Sequence, residues 1–302
     1  MDKRIMFAAA VPLLGIAVLT AKYNGGVRPP ADLRDAVADS AIESLKASGG
    51  EADINIPEPN AAAVNDPSTG APAKPAEWVT ISGGKFTMGT DSGEEGFEDA
   101  NPAHEVTVKT FQMAKTAVTV AQYAECVSKG ACTEPGTSSY CNWGKTGLGS
   151  HPVNCVNWDQ AQQYAKFKGA RLPSEAEFEY AATSGGKNQK YPWGNEEPTS
   201  ELAVFNTDST MPVCSRPKGN TVQGLCDMSG NVWQWMQDKY RGSYKGAPTD
   251  GSAFESAGSH RVVRGGSFFF NAASYLRAGC RGNGVPGFPD VHVGFRLVRS
   301  SR

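Results

Sequence analysis

The sequence predicts a mixed domain of short strands and short helices with little regular secondary structure, in which staples matter as much as the core. Three observations predict it. Residues 78–90 and 104–115 alternate apolar and polar side chains as strands do. Three later segments carry helix-start signals ahead of apolar runs of helical spacing. The 34 glycines and 19 prolines of this 302-residue chain, and the run of loop-like sequence after Gly186, leave little room for more regular structure. A domain so rich in loop needs disulfides or a bound metal to stabilise it.

The elements follow in chain order. Lys3 and Arg4 precede an apolar run over residues 5–21, a basic region followed by a hydrophobic one, as in an export signal. That run is near the short limit for crossing a bilayer, and Leu19 with Ala21 gives no clean cleavage site. Residues 1–21 are therefore expected to be an uncleaved anchor, with a cleaved signal peptide as the alternative. Lys3 and Arg4 would stay on the inner side and place the rest outside the cytoplasm, in a bacterial periplasm or at the cell surface, inner-membrane anchored or secreted. Residues 22–77 are rich in Ala, Pro, Asn, Asp and Gly and poor in aromatic residues, which predicts a disordered tether. Within it, residues 31–48 carry Leu33, Val37, Ile42 and Leu45 at helical spacing, a transient helix or a contact for a partner.

The folded domain is expected over 78–302. WVTISGGKFTMGT reads as a hairpin turning at its Gly-Gly pair, and HEVTVKTFQMAK as the next strand. Thr119 with Gln122, Asn157, and Ser174 with Glu177 open the three helices. Gly169 closes the second, and Gly185 with Gly186 the third. A formal charge of −2 offers no electrostatic footprint for nucleic acid. His104, His151, His260 and His292 lack the spacing of a helix-borne zinc or iron site, so local hydrogen bonding is their expected duty. Arg171 is expected to pair with a carboxylate at the start of the helix bearing Glu175, Glu177 and Glu179, and Arg264, Arg277, Arg281 and Arg296 to bond loop carbonyls.

Four segments carry a resemblance: LPSEAEFEYAA, YPWGNE, DMSGNVWQW, and RVVRGGSFFFNAASYLRAGCRGNGVPGFPDVHVGFR. In that order they resemble the formylglycine-generating enzyme, or sulfatase-modifying factor, family over about residues 78–299. The resemblance implies an α+β fold of low secondary-structure content, related to C-type lectin-like folds. It also implies oxidation of a client sulfatase's cysteine by a copper-binding cysteine pair a few residues beyond the GGS turn. Here Gly265, Gly266 and Ser267 are followed by Phe268, Phe269, Phe270, Asn271, Ala272, Ala273 and Ser274, and neither cysteine is present. Phenylalanine supplies neither a soft ligand for Cu(I) nor a nucleophile, so copper is not expected.

Matched residue by residue, DMSGNVWQW implies calcium held by the Asp227 side chain and the backbone carbonyls of Met228, Gly230 and Val232, oxygen ligands that suit calcium. A tight turn with Trp233 and Trp235 in the core is compatible with the same residues. The family's other calcium site departs from pattern, with Val204 near its expected asparagine. Seven cysteines in an exported chain should pair and leave one over. Short loop closure and the resemblance together suggest Cys126 with Cys132, Cys141 with Cys155, and Cys214 with Cys226, among many formal alternatives. Cys280 is then the orphan, read as a buried small hydrophobe in a strand. Phe268, Phe269 and Phe270 are core if buried, or an aromatic contact surface if exposed in a groove.

Three functions follow. The first is a tethered, non-catalytic extracytoplasmic module that binds or regulates a protein or peptide client; the family includes regulators of this kind, one acting upstream of a threonine kinase that controls type VI secretion. The second is a formylglycine-generating oxidase, which would have to use Cys280. The third is a relative of the family's iron-dependent C–S bond-forming enzymes, which rely on a histidine-bearing helical domain that this chain lacks.

Overall fold

The computed structural model describes residues 73–256 and 258–301. The expected anchor or signal over 1–21 and nearly all of the expected tether lie outside the described residues. Residues 73–77 are described and are already tied to the domain: the Lys74 carbonyl accepts from Gln122 Nε2 at 2.9 Å, and the Glu77 carbonyl from Lys115 N at 2.8 Å. Among the described residues no helix is long and apolar enough to cross a membrane.

The first four strands are β1 (Trp78–Ile81), β2 (Gly84–Met88), β3 (His104–Val108) and β4 (Phe111–Ala114). The expected hairpin at the Gly-Gly pair does not form. β1 pairs with β4 and β2 with β3, both antiparallel, and the register runs unbroken from Ile81 opposite Phe111 to Gly84 opposite Val108. One long two-stranded ribbon is bent at Ser82–Gly83 and Lys109–Thr110 into two sheets. Gly83 is required at the bend, since a Cβ there would stand 2.6 Å from Thr110 N. Alternation found the extended segments but read 104–115 as one strand where the bend divides it into β3 and β4, and it could not say which neighbour each strand meets.

The three helices are α1 (Val120–Ser128), α2 (Trp158–Phe167) and α3 (Glu175–Ala182), and each opens on a full capping box: Thr119 with Gln122, Asn157 with Gln160, Ser174 with Glu177. Every residue of α3 is buried, so this helix sits inside the domain and is not a surface helix with one wet face. The second half supplies β5 (Trp233–Lys239), β6 (Arg261–Arg264), β7 (Arg281–Gly284), β8 (Val293–Gly294) and β9 (Val298–Ser300). The sheet orders are β1-β4-β9, β2-β3 and β7-β6-β5-β8, with β5 and β8 parallel. β9 returns the end of the chain to β4 beside the beginning.

The main core joins Ile81, Phe111 and Met113 of the first sheet to Tyr123, Tyr164, Phe178, Trp235 and Phe295. Tyr123 and Tyr164 stack at 5.6 Å between ring centres, and Phe295 meets both edge-on. Disulfides join Cys126 to Cys132, Cys141 to Cys155 and Cys214 to Cys226, each closing a local loop. Cys280, the cysteine outside these three disulfides, is buried just before β7.

Two arginines are buried beside two α3 glutamates. Arg281 grips Glu175 with Nε at 2.6 Å and a second nitrogen at 2.9 Å, and also donates to the carbonyls of Asp99 and Arg241. Arg264 bonds Glu179 and the Ala278 carbonyl and lies 3.3 Å from Glu175. Arg171 takes the remaining α3 carboxylate, Glu177, through two bonds of 2.7 and 2.6 Å. The expected bonds to backbone carbonyls are present for Arg296, which adds the Gln234 side-chain oxygen, while Arg264 and Arg281 add buried carboxylates and Arg277 pairs with Glu94. The reason is charge: buried carboxylates on α3 require compensation that no carbonyl supplies.

Candidate functional site

Two turns interlock at the candidate site. The first, leading into β5, has Asp227, Gly230 and Asn231 at positive φ of 50°, 86° and 65°. Gly230 must be glycine, because a Cβ would stand 2.6 Å from the Val204 carbonyl. The second is the Gly265-Gly266-Ser267 turn at the end of β6. Gly230 N donates to the Gly265 carbonyl at 2.8 Å, and Phe268 N to the Asn231 carbonyl at 2.9 Å. Asn231 further exchanges two bonds with the backbone of Met211, and its own N–H reaches the Val204 carbonyl. The position of Phe268 is therefore fixed by the same contacts that fix the Asp227 turn.

Beyond Ser267 the three phenylalanines part. Phe268 is buried at 1% exposure, Phe269 is 54% exposed and Phe270 is partly buried. His292, just ahead of β8, holds them together: its ring centre lies 5.5, 5.2 and 5.7 Å from those of Phe268, Phe269 and Phe270. Tyr275 packs on Phe270 at 4.7 Å, and Trp233 meets both from the core side. Asp290 accepts from His292 N at 2.7 Å and faces its Nδ1 at 3.1 Å. Burial alone would raise the Asp290 pKa, but these bonds to His292 outweigh it and hold the carboxyl below its usual range. Both of the sequence alternatives thus occur: Phe268 is core and Phe269 is surface. Phe288, in the neighbouring loop, is also exposed. His292 had no sequence signal beyond its place in PDVHVGFR, because ring packing between residues so far apart in the chain leaves no local pattern.

The donors near the GGS turn do not fit the two-thiolate copper site that the resemblance implies. Six cysteines are in disulfides, which leaves Cys280 as a single thiol where the site needs two. Ser267, fully buried, has a hydroxyl oxygen with no hydrogen-bond partner among the described residues, but a single hydroxyl is no substitute for a thiolate pair.

Of the residues matched to calcium, Asp227 has its side chain buried, with Oδ2 accepting from Cys214 N at 2.8 Å. Burial pushes its pKa up, offset only in part by that N–H and by the Arg296 guanidinium. The carboxylate is short of positive charge, which fits a cation ligand. Met228, Gly230 and Val232 occupy the same turn. Among the described residues no cluster of three or more His, Cys, Asp or Glu side chains could hold a metal by side chains alone. His151, bonded to Thr210 at 2.9 Å, has its pKa lowered by burial.

The architecture and the paired turns define a family. Residues 64–301 match the sulfatase-modifying factor enzyme 1-like domain, and the chain belongs to that family. Among curated proteins it is 30% identical to a formylglycine-generating enzyme of Streptomyces coelicolor, over 82% of this chain and 96% of that protein. It is 32% identical to the serine/threonine-protein kinase Pkn1 of Chlamydia trachomatis over 74% of this chain, but spans only 38% of the kinase's length. Among solved structures, PvdO from Pseudomonas aeruginosa superposes with a TM-score of 0.64 at 31% identity, over 75% of this chain and 95% of that one.

Proposed function

We propose that this chain is a non-catalytic, extracytoplasmic member of its family that binds or regulates a protein or peptide client. The observation that carries the reading is the content of the catalytic position: aromatic rings gathered on His292 occupy the place where the family's oxidases need two thiols. Phe269 presents its ring to solvent from a backbone held by the Asp227 turn, and rigid, partly exposed aromatics are frequent binding anchors. Three disulfides support an oxidising compartment, to which residues 1–21 would deliver and tether the domain. A similar domain within a protein named as a kinase supports regulation over independent chemistry.

The test is direct. The full chain is incubated with Cu(I), oxygen and a cysteine-bearing sulfatase-motif peptide, and products are read by mass spectrometry. No formylglycine above the level of a Cys280→Ser variant is expected. Product that depends on Cys280 would instead establish the oxidase reading.

Calcium is the second part of the proposal. Asp227 would hold the ion with the carbonyls of Met228, Gly230 and Val232, adding the positive charge its buried carboxylate lacks. Calcium at a hundredfold excess over Kd should add about 2.7 kcal/mol to stability. Chelation should lower the melting temperature, calcium should restore it, and Asp227→Asn should abolish the difference. Equal melting of the native chain with chelator and with calcium would end this part.

A further inference from the structure

The Cys214–Cys226 disulfide lies beside the candidate site, and neither the resemblance nor the proposed function gives it more than a structural duty. It differs from the other two bridges in access. Cys126 and Cys132 are both buried, as are Cys141 and Cys155, and Cys226 is 1% exposed; Cys214 alone of the six bridge cysteines is partly exposed. Thiol exchange begins when a thiolate reaches one sulfur of a bridge, so access decides which bridge reacts.

The loop between the two cysteines is loosely held. Pro217 and Lys218 are exposed, and Val222 is 75% exposed. Several of its backbone bonds stay within it: Gly219 N to the Arg216 carbonyl, Asn220 N to that of Pro217, and Gly224 N to that of Thr221. Its outward ties include Val222 N to the Ser184 hydroxyl and the exposed pair of Lys218 with Glu201, which adds little. Cys214 also has a positive φ of 62°, a strained conformation for a residue with a Cβ, and it can relax once the bridge opens. Cys155 shares that conformation at 57°, but both cysteines of its bridge are buried.

The two halves of the bridge have different settings. Cys214 N donates to Asp227 Oδ2 at 2.8 Å, so the exposed half is tied to the turn that places Phe268. Cys226 N donates to the Lys115 carbonyl at 2.9 Å, and the Cys226 carbonyl accepts from Arg296 at 2.7 Å, so the buried half stays anchored past the end of β4. The Arg296 guanidinium has carbonyl and amide oxygens as its other acceptors. A cation bonded to the same residue favours a thiolate released at Cys226, and a stabilised thiolate leaves faster. Asp227, next in the chain, opposes it, but that carboxylate is turned toward Cys214 N.

We propose that Cys214 is a thiol-exchange site for a dithiol reductant, through which reduction of the Cys214–Cys226 bridge loosens the Asp227 turn. The attacking thiolate bonds Cys214 Sγ, the bond between the two cysteines breaks, and Cys226 departs as a thiolate beside Arg296. The second thiol of the reductant then displaces Cys214. The reductant leaves as a disulfide, and the two cysteines have gained two electrons and two protons. Released Cys214 withdraws its N–H from Asp227, and the turn that holds Phe268 loses one of its fixings.

The full folded chain tests this when treated with limiting dithiothreitol, quenched with a maleimide and mapped by mass spectrometry. Cys214 and Cys226 should be labelled together, at least about tenfold faster than the other four bridge cysteines. Cys280, 2% exposed, should stay unlabelled, which marks the fold as intact. With glutathione, which carries no second thiol, the adduct should sit on Cys214 and the maleimide on Cys226. Labelling of all seven cysteines together means reduction through unfolding and overturns the proposal. So does an adduct on Cys226, or faster opening of either other bridge. In chain reduced at this bridge alone, the Gly230 and Phe268 amides should lose about tenfold in protection from hydrogen exchange while the Phe178 amide of α3 keeps its own. Unchanged protection of Gly230 and Phe268 overturns the link between the bridge and the turn.

Discussion

Replacing Arg281 by methionine will cost about 3–5 kcal/mol of stability, read by urea denaturation of the full chain with its disulfides intact. The guanidinium is 2% exposed and reaches Glu175 through two nitrogens, so its removal leaves a carboxylate with 3% exposure facing Arg264 at 3.3 Å as its one remaining cation. The carbonyls of Asp99 and Arg241 lose a donor in the same step, and Tyr244 and Tyr240 lose the cation above their rings. The loss comes from stranding a buried charge. The double variant Arg281→Met with Glu175→Gln should therefore be less destabilised than Arg281→Met alone. If the two variants are equally unstable, packing and not charge is what Arg281 contributes.

The same network sets the acid limit of the fold. Burial favours the neutral form of Glu175, but Arg281 and Arg264 outweigh it and hold the pKa below 4.5. A depressed acid contributes stability that is present above its unfolded pKa and lost as pH falls through the folded one. The native chain should lose stability progressively below about pH 4.5, and Arg281→Met should flatten that part of its profile. Asp238, buried near the end of β5, acts in the opposite sense: burial and Glu175 raise its pKa to about 7, so its ionisation costs stability as pH rises through that range.

These groups mark the boundary between what was legible in the sequence and what was not. The helix starts were legible because a capping box is written within four residues and its bonds are local: Thr119 to Gln122, Asn157 to Gln160, Ser174 to Glu177. The strands were legible as strands because Phe86, Met88, Val106 and Val108 alternate with polar neighbours. Their pairing was not. Alternation assigns a face, not a partner, and Gly83-Gly84 serves a bend as well as it serves a turn. The buried charges were illegible for a related reason: Arg281 meets Glu175 across 106 residues of chain, and Asp238 meets Glu175 across 63. The same holds at the candidate site. Motif order located the GGS turn and the missing thiols, while the division of labour between Phe268 and Phe269 depends on where His292 arrives from β8.

Arg296 carries the second large effect, and it bears on the site itself. It is fully buried, and among the described residues its hydrogen bonds go to carbonyl and amide oxygens. Its Nε donates to the Gln234 side-chain oxygen, and its terminal nitrogens reach the carbonyls of Ala114, Lys115, Cys226 and Asp227. One guanidinium thus clamps the end of β4, the Cys214–Cys226 loop and the start of the Asp227 turn. Burial pulls its pKa down to about 10, with Asp227 only partly restoring it, so the side chain is charged at neutral pH but short of compensation. Arg296→Met takes a donor from the buried Cys226 carbonyl and the Gln234 oxygen at about 1–3 kcal/mol each, while the Lys115 and Asp227 carbonyls keep Cys226 N and Gln234 Nε2, so the total loss should be at least about 2 kcal/mol. Arg296→Lys separates geometry from charge: an ammonium keeps the charge but cannot span five acceptors as a planar fork does, so most of the loss should remain. If lysine restores full stability, the clamp is electrostatic. If it does not, the Asp227 turn, and with it the placement of Phe268 and Phe269, depends on the fork. On the proposed function, loosening that turn should then weaken calcium and client binding together, whereas truncating exposed Phe269 should weaken client binding and leave calcium untouched.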